Sequence, residues 1–270
     1  MTSGKKENLV SVVIPIYNGQ RYIEETVRKV LDQTYSEIEI ICIIDGTNDE
    51  SGSILRRFGD PRIEILEQEN RGATYTRNRG LSLAKGEFIL FLDQDDVIHP
   101  EFIERTVREI VRTGSTGVAV NGHLIDAQGR RIRRMYRIHK PKLTLRSLLK
   151  GNQMYTSSQV LLRRDKLAKI GSFDVQADQA DDWDMWIRHA RNGKLTFLDL
   201  DLIGYRMHDA NQSLNVDKML RSELHIVERK LADADNPQEI KSYTYMRYST
   251  RAGDWNALAK AVRLNSSLVL

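Results

Sequence analysis

The stretch Val10-Ser11-Val12-Val13-Ile14-Pro15-Ile16-Tyr17-Asn18-Gly19 decides the fold class. Its apolar residues are mostly β-branched, it holds no charge, and it breaks at Asn18-Gly19, a turn signal. Helical spacing then takes over, with Ile23, Val27, Val30 and Leu31 on one face. Ile38 to Ile44 repeats the first pattern, interrupted only by Glu39, and stops at Asp45-Gly46. Ile63 and Ile65 mark a short third strand, and Phe88 to Leu92 a fourth that stops at Asp93. The next helix is expected to start near Pro100 and to carry Ile103, Val107, Ile110 and Val111 on one face. Near-continuous apolar strands joined by helices predict an α/β protein with a mainly parallel sheet covered on both faces. Ligands of such sheets bind beyond the carboxyl ends of the strands. The residues expected there are Tyr17, Asn18, Asp45, Gly46, Asn70, Arg71, Gly72, Asp93, Asp95 and Asp96.

Beyond Gly114 the pattern weakens. Val160 to Leu162 suggests a strand, and Trp183, Trp186, Ile187 and Ala190 share one helical face, which reads as core. Leu220, Leu224, Val227 and Leu231 keep helical spacing. Asn236-Pro237-Gln238-Glu239 reads as a new helix start, with Asn236 as its cap. The chain shows no internal repeat and no low-complexity linker.

At 270 residues, 40% of them hydrophobic and 29% charged, the chain is long enough to bury a substantial core. That composition excludes collagen-like and wholly disordered classes. Its apolar stretches fall far short of the ~18 residues a membrane span needs. Met1 to Asn8 is charged and polar, without the hydrophobic centre of an export signal. Cys42 is the single cysteine, so no internal disulfide can form, and its place in a strand assigns it to packing. These features lead to the expectation of a soluble, cytoplasmic protein, peripheral at most to the inner face of a membrane.

The net charge of +4 permits anionic partners without naming them. Its distribution says more. Arg130, Arg131, Arg133, Arg134, Arg137, Lys140 and Lys142 form a cluster free of acids, while Asp174, Asp178, Asp181, Asp182 and Asp184 form one free of Lys and Arg. Two readings of the basic cluster stand: a solvated surface loop or hairpin, or a surface holding an acceptor phosphate or an anionic membrane.

Asp93-Gln94-Asp95-Asp96 follows a buried strand and delivers at least two carboxylates to one place on the sheet edge. Like charges so close repel, which a hard divalent cation, Mg²⁺ or Mn²⁺, would relieve. The competing reading is a loop rich in turn-forming Asp.

Several segments together carry a family resemblance. Val10 to Tyr17 with Asn18, then Ile44-Asp45-Gly46-Thr47-Asn48-Asp49, then Asn70 to Gly80, then Phe91 to Asp96, resemble in order the signature of family 2 glycosyltransferases of the GT-A fold. Leu161-Leu162-Arg163-Arg164, Gly171-Ser172-Phe173-Asp174, Asp181 to Arg188 and Tyr205-Arg206-Met207-His208 resemble the later blocks. The resemblance spans roughly residues 9 to 213.

It implies a GT-A sheet, Rossmann-like and flanked by helices, with a nucleotide-sugar-binding half at 1–113 and an acceptor and catalytic-base half at 114–213. Outside it, the helical spacing reads as a C-terminal helical extension at 214–270. The resemblance implies a metal-dependent inverting transferase that moves a sugar from a nucleotide-diphospho-sugar, a UDP-sugar foremost, to a hydroxyl of a glycan or lipid-linked acceptor, in bacterial surface polysaccharide synthesis. By position, Asp45 matches the acid that reads the nucleobase, with Pro15, Tyr17 and Asn18 lining the same pocket. Asp93, beside Gln94, matches the residue that faces ribose and metal, and Asp95 matches the principal ligand of Mn²⁺ or Mg²⁺. Asp182 matches the catalytic base, with Asp181 beside it where glutamate is more usual. Arg206 and His208 match a late loop over the diphosphate or metal, and Arg77 steadies the donor or the fold. The dipole of the helix opening near Asp181 leads one to expect an ionised base at neutral pH.

Two departures stand out: Ile44 replaces the first of a frequent acid pair, and Thr76 replaces a common alanine. The alternatives are a catalytically weak sugar-binding relative and a sugar-1-phosphate nucleotidyltransferase, whose glycine-rich phosphate loop is absent at Tyr17 to Arg21. A nucleic-acid-binding module built on Arg130 to Lys142 would leave the carboxylate rim without a role, so no nucleic-acid partner is expected. The helices beyond Asn211 are open to acceptor binding or to homo-oligomerisation.

Overall fold

The computed structural model describes residues 6–230 and 237–253, with positions 257, 260, 261 and 264. The first half runs β1 (Lys6–Ile16), α1 (Ile23–Leu31), β2 (Ile38–Asp45), α2 (Ser51–Arg56), β3 (Ile63–Gln68), α3 (Ala73–Leu83) and β4 (Gly86–Phe91). Then come β5 (Val97–Ile98), α4 (Phe102–Thr113), β6 (Gly117–Ile125), β7 (Arg131–Arg134), α5 (Leu145–Leu149), β8 (Val160–Arg163) and α6 (Arg164–Ile170). The chain continues through α7 (Asp181–Asn192), β9 (Leu195–Arg206), α8 (Val216–Lys230) and α9 (Pro237–Ala252).

All nine of these strands join one sheet, in the order β3-β2-β1-β4-β8-β6-β9-β5, with β7 beside β6. The expected parallel half is present: β1 pairs in parallel with β2 and β4, and β2 with β3. β8 runs antiparallel between β4 and β6, and β9 returns to parallel beside β6. Val10 lies beside Ile38 and Ile16 beside Ile44, so two apolar strands form the middle of this half. Alternation then feeds two layers. Val12, Ile14 and Ile16 pack with α1 and α4, whereas Val13, Ile41 and Phe91 pack with Trp183 and Trp186 of α7. Gly80 lets α3 lie close on β1, since a Cβ there would stand 2.2 Å from a Val13 methyl.

Some expectations are refined. α4 begins at Phe102, two residues after Pro100, and its buried face is Phe102, Ile103, Thr106, Val107 and Ile110; Val111 faces solvent. Trp183, Trp186 and Ile187 are buried, as the core reading held. α9 starts at Pro237, while Leu231 and Asn236 lie outside the described residues. The basic cluster forms the hairpin arm β7 and the segment after it, in which Arg134 pairs with Asp199 and Asp201, and Lys140 with Asp199. Among the described residues no helix is long and apolar enough to cross a membrane.

Candidate active site

At the end of β2, Asp45 is buried and accepts hydrogen bonds from Gln68 Nε2 at 2.7 Å and from the Arg71 and Gly72 amides at 2.8 Å each. Its carboxylate therefore shapes the loop before α3. Gly46 permits that packing: its φ is +70°, and a Cβ would lie 2.4 Å from the Asn70 nitrogen. Pro15 is buried in β1, and Tyr17 is 46% exposed at the strand's exit. Gln94 grips the Tyr17 main chain from both sides, accepting from its N–H at 2.9 Å and donating to its carbonyl at 2.8 Å. Asn18 adopts φ +53°, tolerated by asparagine, and its Oδ1 accepts from the Thr47 hydroxyl at 2.8 Å.

The three acids after β4 separate into distinct surroundings. Asp93 meets Arg77 at 2.7 Å through one oxygen and the Thr156 hydroxyl at 2.9 Å through the other. Asp96 is fully buried and accepts from the Arg206 amide at 3.1 Å. Asp95 lies 2.8 Å from His208 Nε2. Burial and the Asp93 charge hold the Asp95 carboxyl above its ordinary range, and burial with Asp95 and Asp93 raises Asp96 further.

At the start of α7, Asp181 accepts from Arg77 at 2.9 Å and from the Thr74 hydroxyl at 3.0 Å. Arg77 thus bridges Asp93 and Asp181 with its two terminal nitrogens, the bidentate geometry available to a guanidinium. Burial works against the Arg77 charge, yet the two carboxylates raise its affinity for the proton. Asp182, the next residue, faces the Asn152 amide. Loss of solvent, then the Asp181 charge, pushes its carboxyl up to about 7, despite its place in the first turn of α7. The ionised carboxylate expected at neutral pH is thus corrected to one that titrates in the neutral range. Desolvation and a like charge outweigh a helix N-terminus, whose effect is about 1 kcal/mol.

Arg206 also departs from expectation. It is 1% exposed, donating to the Asp95 carbonyl at 2.8 Å and pairing with Glu25 at 2.7 Å, with its guanidinium 4.7 Å from the Tyr22 ring centre. Placed at the end of β9 and turned under the rim, it braces the Asp95 backbone rather than facing the cleft.

The donor set suits a divalent cation in part. Asp95 supplies a desolvated carboxylate whose charge a cation would offset. The Ala210 N–H points at His208 Nδ1, 3.2 Å away, leaving Nε2 to donate to Asp95. Ligation by His208 requires this turn to release Nδ1; ligation by Asp95 requires no rearrangement. Both Asp93 oxygens have other partners, and among the described residues no three His, Cys, Asp or Glu side chains converge as a metal-binding group. Asn152, Thr156 and Ser158 were not singled out by the sequence reading. The Thr156-Ser157-Ser158 hydroxyl run before β8 was the available signal.

The family model for glycosyl transferase family 2 matches residues 11–171, more than half of the chain. The chain belongs to glycosyl transferase family 2. An uncharacterized glycosyltransferase of Rickettsia typhi is 32% identical over 215 residues, which are 77% of this chain and 67% of that protein. Of some other curated relatives the chain spans only about a third. A crystal structure of S. aureus TarS 1–349 with UDP-GlcNAc matches with TM-score 0.72 at 18% identity, over 95% of this chain and 79% of that one. A mannosyltransferase of Pyrobaculum calidifontis, in complex with GDP-Man and Mn²⁺, matches with TM-score 0.69 at 16% identity, over 96% and 74%. These likenesses establish the GT-A fold for this family 2 chain.

Proposed function

We propose that this family 2 chain is a metal-dependent inverting transferase, using a nucleotide-diphospho-sugar, a UDP-sugar foremost, and a hydroxyl of a glycan or lipid-linked acceptor in bacterial surface polysaccharide synthesis. The observation that carries this reading is the Arg77 bridge. It ties Asp93, beside the Asp95–His208 pair, to Asp181, beside Asp182, and so sets a candidate cation ligand and a candidate base on one sheet edge.

In this mechanism ionised Asp182 takes the proton of the acceptor hydroxyl while that oxygen bonds to the anomeric carbon. The bond from that carbon to the diphosphate oxygen breaks, and the nucleoside diphosphate leaves with the electron pair. A base titrating near 7 is matched to that task. Asp95 would hold Mn²⁺ or Mg²⁺, with His208 joining once its turn moves. When bound, the cation offsets charge on the leaving diphosphate. Asp45 and Gln94 hold the loop and strand exit against which the nucleobase end of the donor would lie.

The test is nucleotide release from a panel of UDP- and GDP-sugars with Mn²⁺, repeated with EDTA. Release with one donor that EDTA abolishes is expected. No metal-dependent release from any donor would point instead to a sugar-binding relative without turnover.

The β7 arm supports a further part of the reading, contact with an anionic membrane. Ile138 is 85% exposed between Arg137 and His139, and Arg131, Arg137 and Lys142 have no carboxylate in ion-pair distance among the described residues. Preferential sedimentation with anionic over neutral liposomes, lost in Ile138→Ser with Arg137→Glu, is the expected result. Equal partitioning removes this part.

A further inference from the structure

The α8–α9 helices reach both segments that flank Asp182. From α8, the Ser222 hydroxyl donates to the Asp178 carbonyl and Lys218 pairs with the Asp178 carboxylate at 2.5 Å, just before α7 begins. From α9, Arg247 donates to the Lys150 carbonyl, two residues before Asn152. Its other terminal nitrogen pairs with Glu223 of α8 at 2.8 Å, and its guanidinium lies 5.5 Å from the ring centre of Trp183, the neighbour of Asp182. The guanidinium occupies the space a Gly151 side chain would need, with a terminal nitrogen 2.7 Å from an ideal Cβ there. Lys150 adds contacts to Glu239 at 3.6 Å and to the Tyr243 ring at 5.2 Å. The segment ends in the Asn152 amide, which stands 3.1 and 3.2 Å from the Asp182 oxygens.

We propose that Arg247 is a positioning residue for Asp182, holding Lys150–Asn152 so that the Asn152 amide meets both carboxylate oxygens. The inference rests on Asp182 being the base, and it gives the C-terminal helices a part in the chemistry. Arg247 carries out no step itself. It fixes a carbonyl, the carbonyl fixes the path of a short loop, and the loop presents an amide. The guanidinium is suited to this because its planar fork can serve the Lys150 carbonyl and Glu223 together while its face covers Trp183.

The test compares Arg247→Ala, Arg247→Lys, Asn152→Ala, the Arg247→Ala/Asn152→Ala double variant and Asp182→Asn in the full chain. Hydrolysis of the UDP-sugar giving the largest thermal shift with Mn²⁺ is followed from pH 5.5 to 9. Arg247→Ala is expected to lower kcat roughly 10-fold, leave donor KM within about 2-fold, and move the acidic limb of the profile upward, as Asn152→Ala does. Arg247→Lys should recover part of kcat. The double variant should be no slower than Asn152→Ala, because both lesions act through one contact. An unmoved acidic limb in Arg247→Ala and Arg247→Lys, or full additivity in the double variant, overturns the proposal. If Arg247→Ala fails to fold, the limb of Arg247→Lys decides alone. Turnover retained by Asp182→Asn overturns the base assignment itself, whereas turnover lost there with an unmoved limb in the Arg247 variants overturns only this inference.

Discussion

The side-chain amide of Asn152 donates to both carboxylate oxygens of Asp182, at 3.1 and 3.2 Å. A donor to a carboxylate favours its ionised form, so Asn152 opposes the upward push of burial and of Asp181. The kcat/KM profile should therefore rise through about pH 7 and level off above it. In Asn152→Ala that limb moves to higher pH, and activity at pH 7 falls several-fold more than activity at pH 9. Initial rates across pH check both points.

Asp182→Asn should reduce turnover by about 10²–10⁴-fold, the usual contribution of a positioned base, with nucleotide binding unchanged by titration calorimetry. Its stability should respond in the opposite sense. The Asp182 carboxyl titrates near 3.8 in the unfolded chain and at about 7 in the fold, so the folded chain holds an extra proton between those values. That contribution is full below pH 4 and is lost as the pH rises through 7. The variant should thus melt above the parent protein at pH 8, by a margin that shrinks toward pH 4.

Arg77→Met should be severely destabilising. It strands Asp93 and Asp181, and removing one partner from a buried ion pair costs about 3–5 kcal/mol. Arg77→Lys should recover less than half of this, since a single ammonium cannot match the two-pronged contact. Denaturant unfolding of the three proteins measures the difference.

Asp95→Asn should abolish the Mn²⁺-dependent part of a UDP thermal shift. His208→Ala should only weaken it, because the His208 ring is engaged at both nitrogens. Equal effects would place both side chains on the ion equally.

The first half of the sheet was legible because Val10 to Ile16 of β1, with most of β2 and β4, is buried on both faces and mainly apolar. β6 and β9 were not. Asn121, Gly122 and His123 interrupt β6, and Asp199 and Asp201 interrupt β9. In the fold these polar groups satisfy one another: Asn121 donates to Asp199 at 2.7 Å, and Arg134 pairs with both acids. A strand that buries polar groups against polar partners from distant segments has no periodic signature. The site shows the same division. Acids at strand ends announce themselves, whereas Arg206 reads as part of a loop over the diphosphate or metal until β9 turns it beneath the rim, and Asn152 gains meaning only from the helix it faces.

The Gln94 clamp on Tyr17 bears on how a ligand would be met. Over its last residues, Ile14 to Ile16, β1 has no strand paired on the β4 side among the described residues, since that register ends at Val13 beside Phe91. One amide group supplies the donor and the acceptor that a neighbouring peptide would have offered. The Tyr17 backbone is therefore preorganised, and a partner that settles against this strand exit need not order the peptide that carries the ring.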